Sequence, residues 1–508
     1  MADQDRAGPT YSLRPIDRKD FGLDHARHLL WRAGFGGTPS QVRLIADWGP
    51  QKAVDHLLDF QGPAEETDET RAFDPSIMQP PSAEQRAVIQ NARRKQNEDE
   101  LARIRLERQR REQSDRGQIA HVRRWWLKRM VETARPLQEK LTLFWHGHFA
   151  TSYRTIENSW HMFRQNQLFR EHAAGNFGDL LRAIIRDPAM IAYLDNNDSR
   201  KEKPNENLAR ELMELFSLGV GNYSEDDIKE GARALTGYSF QYNDFKFYKD
   251  RHDTNNKHLL GASGNFDGDD FVRLILARPA CSKFIATKLY RFFVSELPPK
   301  GTPEFRAVEG VIAGLAAELT GAKYEIKPVL RKLLQSDHFY DSSVRLARIK
   351  SPTELVIGAV RSLNTPVRDL GVVADAMDLM GQSLFFPPSV KGWDGERSWI
   401  NTSTLFVRQN MLTYLVTGKT PTGYDPLAAD DEYDPMPLIE GMTRDEAGSP
   451  TSPRDVARYL LRYVLGETAP TPRLNIITDF LTSSGAIDAQ SLRGALALIT
   501  AMPEYQLC

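Results

Sequence analysis

Amphipathic helical patterns follow one another along most of this sequence, and this regularity limits the folds that the chain can adopt. Apolar residues recur every three or four positions in 24–60, 118–194, parts of 271–380 and 403–417, as expected of helices that bury one face. The segment 237–270 is irregular and contains short strand-like aromatic runs. No solenoid period and no series of alternating β units is present. The sequence therefore predicts a mainly α fold, a multi-helical globular array with long irregular loops and at most a few short strands.

Changes in composition along the chain predict its domain organisation. Residues 1–23 form an N-terminal extension, and 24–417 form the main helical domain, which carries a charged helical insertion at about 83–116. Residues 418–453 are rich in Asp, Pro, Gly and Thr and predict a linker. We expect 454–508 to form a small C-terminal helical segment that packs on the main domain.

The charge balance excludes some classes of partner. The 508 residues include 66 Lys and Arg against 68 Asp and Glu, which gives a formal net charge of −2, so no overall field attracts nucleic acid or an anionic membrane. The charged insertion lacks the interleaved aromatic side chains of a nucleic-acid-binding arm, which favours a solvent-exposed helix with ion pairs. No stretch is long and apolar enough for a membrane span. We therefore expect neither a nucleic-acid partner nor a membrane span.

The cysteines and the N-terminal residues bear on metal binding and on compartment. Cys281 and Cys508 are too few for a disulfide framework or a thiolate cluster. Residues 1–20 contain no apolar core of a secretory signal. The sequence therefore favours a cytoplasmic location, and a periplasmic or exported location stays open.

Residues 204–221, PNENLARELMELFSLGVG, predict a helix with one buried face. Pro204 suits the first turn, where its missing N–H would have no partner anyway. Gly219 suits the left-handed position that ends a helix. The apolar stripe of this helix is formed by Leu208, Leu212, Leu215 and Phe216.

Four polar residues of the same segment are candidates for a site. Glu206 and Arg210 lie on the face opposite the stripe, and Glu211 lies at its edge. Asn205 falls within the apolar face, where it needs hydrogen-bond partners. The simpler interpretation is an exposed Glu206–Arg210 pair worth only about 0.3–0.5 kcal/mol. The alternative is that the glutamates carry out acid–base chemistry.

The motif WHGHF places two histidines near the end of another predicted helix, which begins at Pro136. The helical phase puts His148 on the buried face and His146 on the opposite side. Side chains two positions apart on a helix point about 200° apart, so the pair can hold one metal ion only if Gly147 breaks the helix. The remaining interpretations are a hydrogen-bonded core histidine and a histidine that binds substrate or transfers a proton.

The motif HDTNNKHLLG, residues 252–261, predicts a charged loop. Asp253 could orient His252 for acid–base chemistry, with Lys257 nearby. The equally weighted alternative is a turn in which Asp253 caps the following backbone.

The motif PPSVKGWDGERSWIN predicts a loop with two tryptophans. Trp393 lies between Gly392 and Asp394, where a sharp turn can direct the indole over a cleft and offer a flat face to a sugar ring. The alternative for both tryptophans is that they fold inward as packing. Trp399 precedes the next helix and is expected to pack in this way. No GxSxG, Walker A, GxGxxG or HExxH motif occurs, so the corresponding enzyme classes lose their usual support.

Several long motifs together resemble one known family. They are LLWRAGFGGTP, PLQEKLTLFWHGHFATS, PNENLARELMELFSLGVGNYSEDDIKEGARALTG, HDTNNKHLLG, GQSLFFPPSVKGWDGERSWINTSTLFVRQN and AMPEYQLC. In this order they resemble the bacterial family catalogued as domain of unknown function 1800, over about residues 24–508 and with a departure mainly at the charged helix. The resemblance implies a largely helical fold in which the polar motifs share one site. Members are often encoded beside a sulfatase-like family, which implies a functional partner of that kind and a role in extracellular polysaccharide metabolism.

The residues and the resemblance together lead to the hypothesis of an enzyme that hydrolyses a glycan by carboxylate acid–base chemistry, without a cofactor or a metal. Such enzymes set a protonated and an ionised carboxyl about 5–9 Å apart. The expected catalytic residues are Glu206, Glu211, His252 and Asp253. The expected substrate-binding residues are His146, His148, Asn205, Arg210, Lys257, Gln382, Trp393, Trp399 and Arg408. Two alternatives are a metal-dependent hydrolase or oxidoreductase with a His/acid cluster, and a non-catalytic glycan-binding or assembly protein.

Overall fold

The computed structural model describes residues 9–60, 67–418, 433–442, 448–466 and 470–508. Part of the predicted linker and part of the predicted N-terminal extension therefore lie outside the described residues. In the described residues, no helix is long and apolar enough to cross a membrane.

The chain is mainly α-helical, as the apolar periodicity predicted. The helices of the first half are α1 Leu23–Arg32, α2 Pro39–Leu58, α3 Asp68–Arg71, α4 Ala83–Arg94, α5 Glu98–Glu132, α6 Pro136–His148, α7 Tyr153–Ile156, α8 Ser159–Glu171, α9 Phe177–Ile184, α10 Pro188–Tyr193, α11 Asn207–Glu214 and α12 Glu225–Ala234. Those of the second half are α13 Gly268–Leu276, α14 Pro279–Phe293, α15 Pro303–Gly321, α16 Ile326–Leu334, α17 Pro352–Leu363, α18 Leu370–Leu379, α19 Thr402–Thr417, α20 Pro453–Leu465, α21 Thr471–Ser483 and α22 Ala489–Thr500. Short 3-10 helices cover Asn196–Asp198, His338–Tyr340, Glu396–Trp399, Met436–Leu438 and Pro503–Gln506.

The described strands all lie in the segment predicted to be irregular. They are β1 Tyr238–Gln241, β2 Asp244–Phe247, β3 Lys257–Leu259 and β4 Ala262–Gly264. β1 pairs with β2 and β3 with β4, both antiparallel, so they form two separate hairpins. Such small sheets depend on the surrounding helices for their stability.

The charged insertion consists of α4 and the first half of α5, and only α5 continues into the core. α5 begins after Asn97, whose side chain accepts a hydrogen bond from the Glu100 amide, and its first half is largely exposed. Its second half buries Val122, Trp126 and Met130. The exposed first half of α5 therefore belongs to the same unbroken helix as the half that packs in the core.

Two apolar clusters form the interior, and α6 contributes to both. Leu137, Leu141 and Phe144 belong to the cluster built largely from α1, α2 and α9–α16. Leu143 belongs to the cluster built largely from the end of α5 and α17–α22. The end of α6 is therefore fixed between the two clusters by side chains on different faces.

The helix predicted from Pro204 begins later, at Asn207. The reason is the side chain of Asn205, whose oxygen accepts the Asn207 amide hydrogen at 2.9 Å and whose nitrogen donates to the Asp195 carbonyl at 2.9 Å. Asn205 therefore lies before the helix rather than on its apolar face. The predicted end is also wrong: α11 ends at Glu214 with Leu215 in a right-handed conformation. Gly219 does have a positive φ, 79°, but it lies after the turn that follows the helix.

The C-terminal helices lie against the rest of the chain. α22 packs on α19, Ile349 and Leu507 form an antiparallel bridge, and Lys350 donates to the Tyr505 carbonyl at 2.7 Å. These contacts fix the segment just before α17, which carries Arg348 and Ser351.

Candidate functional site

A cavity of about 190 Å³ opens at the end of α6, and we call it the central cleft. It is bounded by α6, by α14 and the residues after it, by the start of α17 and by the loop 381–401. Its aromatic lining is Phe144, Phe292, Trp393 and Trp399. Its charged lining is Lys288, Arg291, Glu296, Arg348, Glu354, Lys391, Asp394 and Glu396. Of the predicted site residues, the central cleft brings together His148, Gln382, Trp393 and Trp399.

Two glycines place Trp393 over the end of α6. Gly392 has a φ of 82°, and a Cβ atom there would lie only 2.2 Å from the Gly147 carbonyl oxygen. Gly147 itself lies against the Trp393 ring, since a Cβ atom on it would be 3.8 Å from an indole carbon. A side chain at Gly392 would thus push the loop away from the helix, and the half-buried Trp393 indole would lose its contact with Gly147.

Trp399 packs inside, as its place before α19 predicted. Only 6% of its surface is exposed, and it occupies the 3-10 helix that leads to α19. It lines the cleft together with Trp393, which is the more exposed of the two.

The two histidines of α6 make different contacts. The helix continues through Gly147 to His148, so the rings point apart. His146 Nε2 accepts a hydrogen bond from the Phe385 amide at 3.0 Å, and His148 Nε2 lies 3.0 Å from the Phe216 carbonyl oxygen. Burial lowers the pKa of each histidine to about 3, so both rings are neutral at physiological pH.

The tautomer of His148 follows from its partner. A carbonyl oxygen only accepts, so Nε2 of His148 carries the hydrogen and Nδ1 is an unprotonated acceptor. Nδ1 is buried and has no hydrogen-bond partner within the described part of the chain.

A buried ion pair lies beneath the central cleft. Glu354 lines the cleft and contacts the Lys140 ammonium group at 2.5 Å, and neither side chain is more than 4% exposed. Burial alone would raise the pKa of Glu354, but Lys140 and Arg348 together lower it well below its usual range. Glu354 also accepts the Ser351 amide hydrogen at 2.8 Å, in a capping box that starts α17. Glu354 is therefore an ionised carboxylate that fixes the floor of the cleft.

Arg348 connects Glu354 to the loop 381–401, which carries Trp393 and Trp399. Its Nε donates to Glu396 Oε1 at 3.0 Å, and Glu396 Oε2 accepts the Ile349 amide hydrogen at 3.2 Å. Glu396 has a φ of 48°, a left-handed conformation that a residue with a side chain holds only when its surroundings enforce it. These two hydrogen bonds supply that enforcement.

The residues predicted at the start of α11 and on it lie outside this lining. Glu206, at 43% side-chain exposure, lies 3.4 Å from Arg210, and Arg210 binds Glu225 at 2.9 Å. This is the exposed pair of the simpler interpretation, extended by one carboxylate. Glu211 is half-buried, and burial together with the charge of Glu214 raises its pKa.

The loop that begins at His252 has the geometry of the turn alternative. Asp253 accepts from Arg233 Nε at 2.7 Å and from the Asn255 amide at 2.8 Å, whereas His252 Nδ1 lies 2.8 Å from the Thr236 carbonyl oxygen. Although burial would raise the pKa of Asp253, the hydrogen bond from Arg233 lowers it. Asp253 thus does not orient His252, because its carboxylate is bound to Arg233.

Lys257, Gln382 and Arg408 each have internal partners. Lys257 donates to the Asp253 carbonyl at 2.6 Å. Gln382 lines the cleft, and its oxygen accepts from the Thr353 amide at 2.9 Å and hydroxyl at 2.8 Å. Arg408 is fully buried and donates to Gln506 at 2.7 Å. Burial lowers the pKa of this guanidinium to about 10.

Sequence reasoning did not single out most of the charged residues of the cleft. Lys140 and Glu396 stand inside quoted motifs, but their spacing gave no sign that they meet one surface. The signal that was available is S-P-T-E at 351–354, a capping box directly before an apolar helix. It would have located the start of α17 but not the partner of Glu354, which is 214 positions away in sequence.

The described residues contain no group of three or more His, Cys, Asp and Glu side chains arranged to hold a metal ion.

Comparison with known proteins places the chain in a family. A family model described as "Protein of unknown function (DUF1800)" matches residues 28–507. Because this match covers nearly the whole chain, the chain belongs to that family, as its motifs predicted. No curated protein and no solved structure matches the chain.

Proposed function

We propose that the protein binds a glycan in the central cleft and hydrolyses it by carboxylate chemistry. The observation that carries this proposal is the lining, which combines the face of Trp393 with four carboxylates and four cationic side chains in one cavity. A sugar ring presents an apolar face and a rim of hydroxyl groups, so it needs this combination of an aromatic surface and hydrogen-bonding groups.

The carboxylates of the cleft differ in their suitability as acid and base. Glu354 cannot supply a proton, because its pKa is well below its usual range. The hydrogen bond from Lys391 also lowers the pKa of Asp394. We therefore assign Glu396, which Arg348 and the Ile349 amide orient, as the base or nucleophile. By elimination we assign Glu296 as the proton donor, a role that requires its ion pair with Arg291 to open when the glycan binds.

Glu296 has one oxygen available for that role. Arg291 Nε and Nη2 both donate to Glu296 Oε2, at 3.0 and 2.6 Å, so the guanidinium engages one side of the carboxyl. This assignment replaces the earlier expectation of Glu206 and Glu211, since neither of them lines the cleft.

One observation favours the alternative of a protein that binds a glycan without cleaving it. Each carboxylate of the cleft has a cationic group within hydrogen-bond distance: Glu296 has Arg291, Glu354 has Lys140, Asp394 has Lys391 and Glu396 has Arg348. Ion pairing holds carboxyls ionised, whereas hydrolysis needs one of them protonated. A screen of polysaccharides for new reducing ends separates the two functions.

Replacing Trp393 by Ala is expected to weaken glycan binding by about 1–3 kcal/mol, the usual cost of removing an aromatic contact at the centre of a binding surface. Calorimetric titration with an oligosaccharide that the wild type binds measures this. Trp48→Ala is the matched control, because Trp48 is also half-buried but lies on α2, outside the cleft. The melting temperature of Trp393→Ala should fall no further than that of the control. A folded Trp393→Ala protein with wild-type affinity would contradict the role of Trp393.

A further inference from the structure

One cation of the central cleft has no carboxylate partner among the residues that the structure describes. Arg291 contacts Glu296 at 2.6 Å, Arg348 contacts Glu396 at 3.0 Å and Lys391 contacts Asp394 at 2.8 Å. The fourth cation, Lys288, forms no ion pair with any residue that the structure describes. Its ammonium group lies 5.3 Å from the centre of the Phe284 ring.

The charges in and beneath the cleft leave this ammonium uncompensated. Four carboxylates and four cations line the cavity, but Glu354 is bound at 2.5 Å to a fifth cation, Lys140, beneath it. The lining thus holds one positive charge that no carboxylate in the cleft neutralises, at the half-buried Lys288.

The surroundings of Lys288 make an anion the fitting partner. Burial lowers the pKa of this ammonium, and the nearby charges of Arg291 and Lys391 lower it further. A half-buried cation beside aromatic side chains is poorly hydrated. A single negative charge at hydrogen-bond distance therefore replaces the stabilisation that the lost water gave to the ammonium group. The neutral ring of His148 supplies no such charge.

We propose that Lys288 binds an acidic substituent of the glycan, so that the cleft selects an acidic polysaccharide. This rests on the proposed function, because it assigns the substrate class of the same cleft. The recognised group is a singly charged oxyanion on the sugar, carried either by a uronic acid carboxylate or by a sulfate ester. Trp393 offers the ring its apolar face while Lys288 holds the charge.

The test compares two pairs of oligosaccharides. The first pair is an oligouronate and its carboxyl-reduced form, and the second is a sulfated galactan oligosaccharide and its desulfated form. Wild type is expected to bind one acidic member about tenfold or more tightly than its neutral counterpart, as a charge-assisted hydrogen bond predicts. The pair that shows the preference distinguishes the carboxylate from the sulfate. The preference should weaken as salt concentration rises.

Three variants locate the effect. Lys288→Met should abolish the preference, and Lys288→Arg should keep part of it. Lys283→Met is the matched control, because Lys283 lies on the same helix but is exposed and contacts Glu309 at 3.3 Å. It should keep the full preference.

Two results would overturn the inference in different ways. Equal binding of acidic and neutral forms by the wild type, or a preference that survives Lys288→Met, overturns the role of Lys288. The proposed function then stands as long as Trp393→Ala still weakens neutral binding. No binding of any of the four oligosaccharides, with every variant folded, overturns both.

Discussion

Replacing Glu354 by Gln is expected to lower the free energy of unfolding by about 3–5 kcal/mol, because it leaves the buried Lys140 charge without its partner. Lys140 is fully buried, and among the described residues its ammonium group has only the Trp31 carbonyl, at 3.4 Å, as a second hydrogen-bond acceptor. Burial already lowers the pKa of Lys140 despite the facing carboxylate. Urea-induced unfolding at pH 7 measures the change.

A double-mutant cycle separates the charge effect from packing. Lys140→Met alone should destabilise less than Glu354→Gln, because Arg348 still lies 3.8 Å from Glu354. The combined variant should recover part of the loss caused by Glu354→Gln, since it buries no unpaired charge. Arg210→Met is the exposed control and should cost no more than about 1 kcal/mol. If each single variant lowered the free energy of unfolding by less than about 1 kcal/mol, the buried pair would not be what stabilises this part of the cleft.

Acid pH gives an independent check on the same pair. The folded-state pKa of Glu354 lies below its unfolded value, so its contribution is present above an unfolded pKa of about 4.3 and is lost as pH falls through the folded pKa. The stability difference between wild type and Glu354→Gln should therefore stay constant from pH 7 to about 5 and shrink below about 4. A difference that grows on acidification would contradict the sign of the shift.

Replacing Glu396 or Glu296 by Gln is expected to lower the hydrolysis rate by about 10²–10⁴-fold, the range that positioned acid–base groups contribute. Each substitution keeps the side-chain shape but removes the carboxyl proton chemistry. Glu396→Gln also weakens its bond to Arg348, so its melting temperature must be measured with the rate. Release of reducing ends from the polysaccharide found in the screen is the assay.

Two control variants locate the chemistry. Glu211→Gln and Asp394→Asn should keep most of the activity, because Glu211 lies on α11 and Asp394 is an exposed cleft carboxylate paired with Lys391. Abolished activity in Glu211→Gln, with Glu396→Gln still active and both folded, would move the reaction from the central cleft to α11.

Local periodicity predicted much of the fold, and the reason is physical. A helix that buries one face shows it in the spacing of its apolar residues, so the burial of Leu208 and Leu212 on α11, and of Phe216 just after it, followed from sequence. The positions where helices begin and end were predicted less accurately. Asn205 shifts the start of α11 through hydrogen bonds of its side chain, one of them to Asp195, and such bonds leave no periodic trace.

The candidate site was predictable only where its residues are close in sequence. The turn at Gly392 pointed to Trp393, and the place before a helix pointed to the packing of Trp399. The charged lining depends on pairs far apart in sequence, such as Lys140 with Glu354. Each partner alone resembles an ordinary helix charge, so the pattern could not distinguish a cleft residue from an exposed one.

The most direct test of the account is a crystal structure of the Glu396→Gln variant with a bound acidic oligosaccharide, since this variant should bind the glycan without turning it over. The account predicts a sugar ring against Trp393 in the central cleft, with its charged group at Lys288 and the scissile bond facing residues 296 and 396. A glycan bound instead beside Glu206 and Glu211 on α11, with the cleft empty, would contradict it.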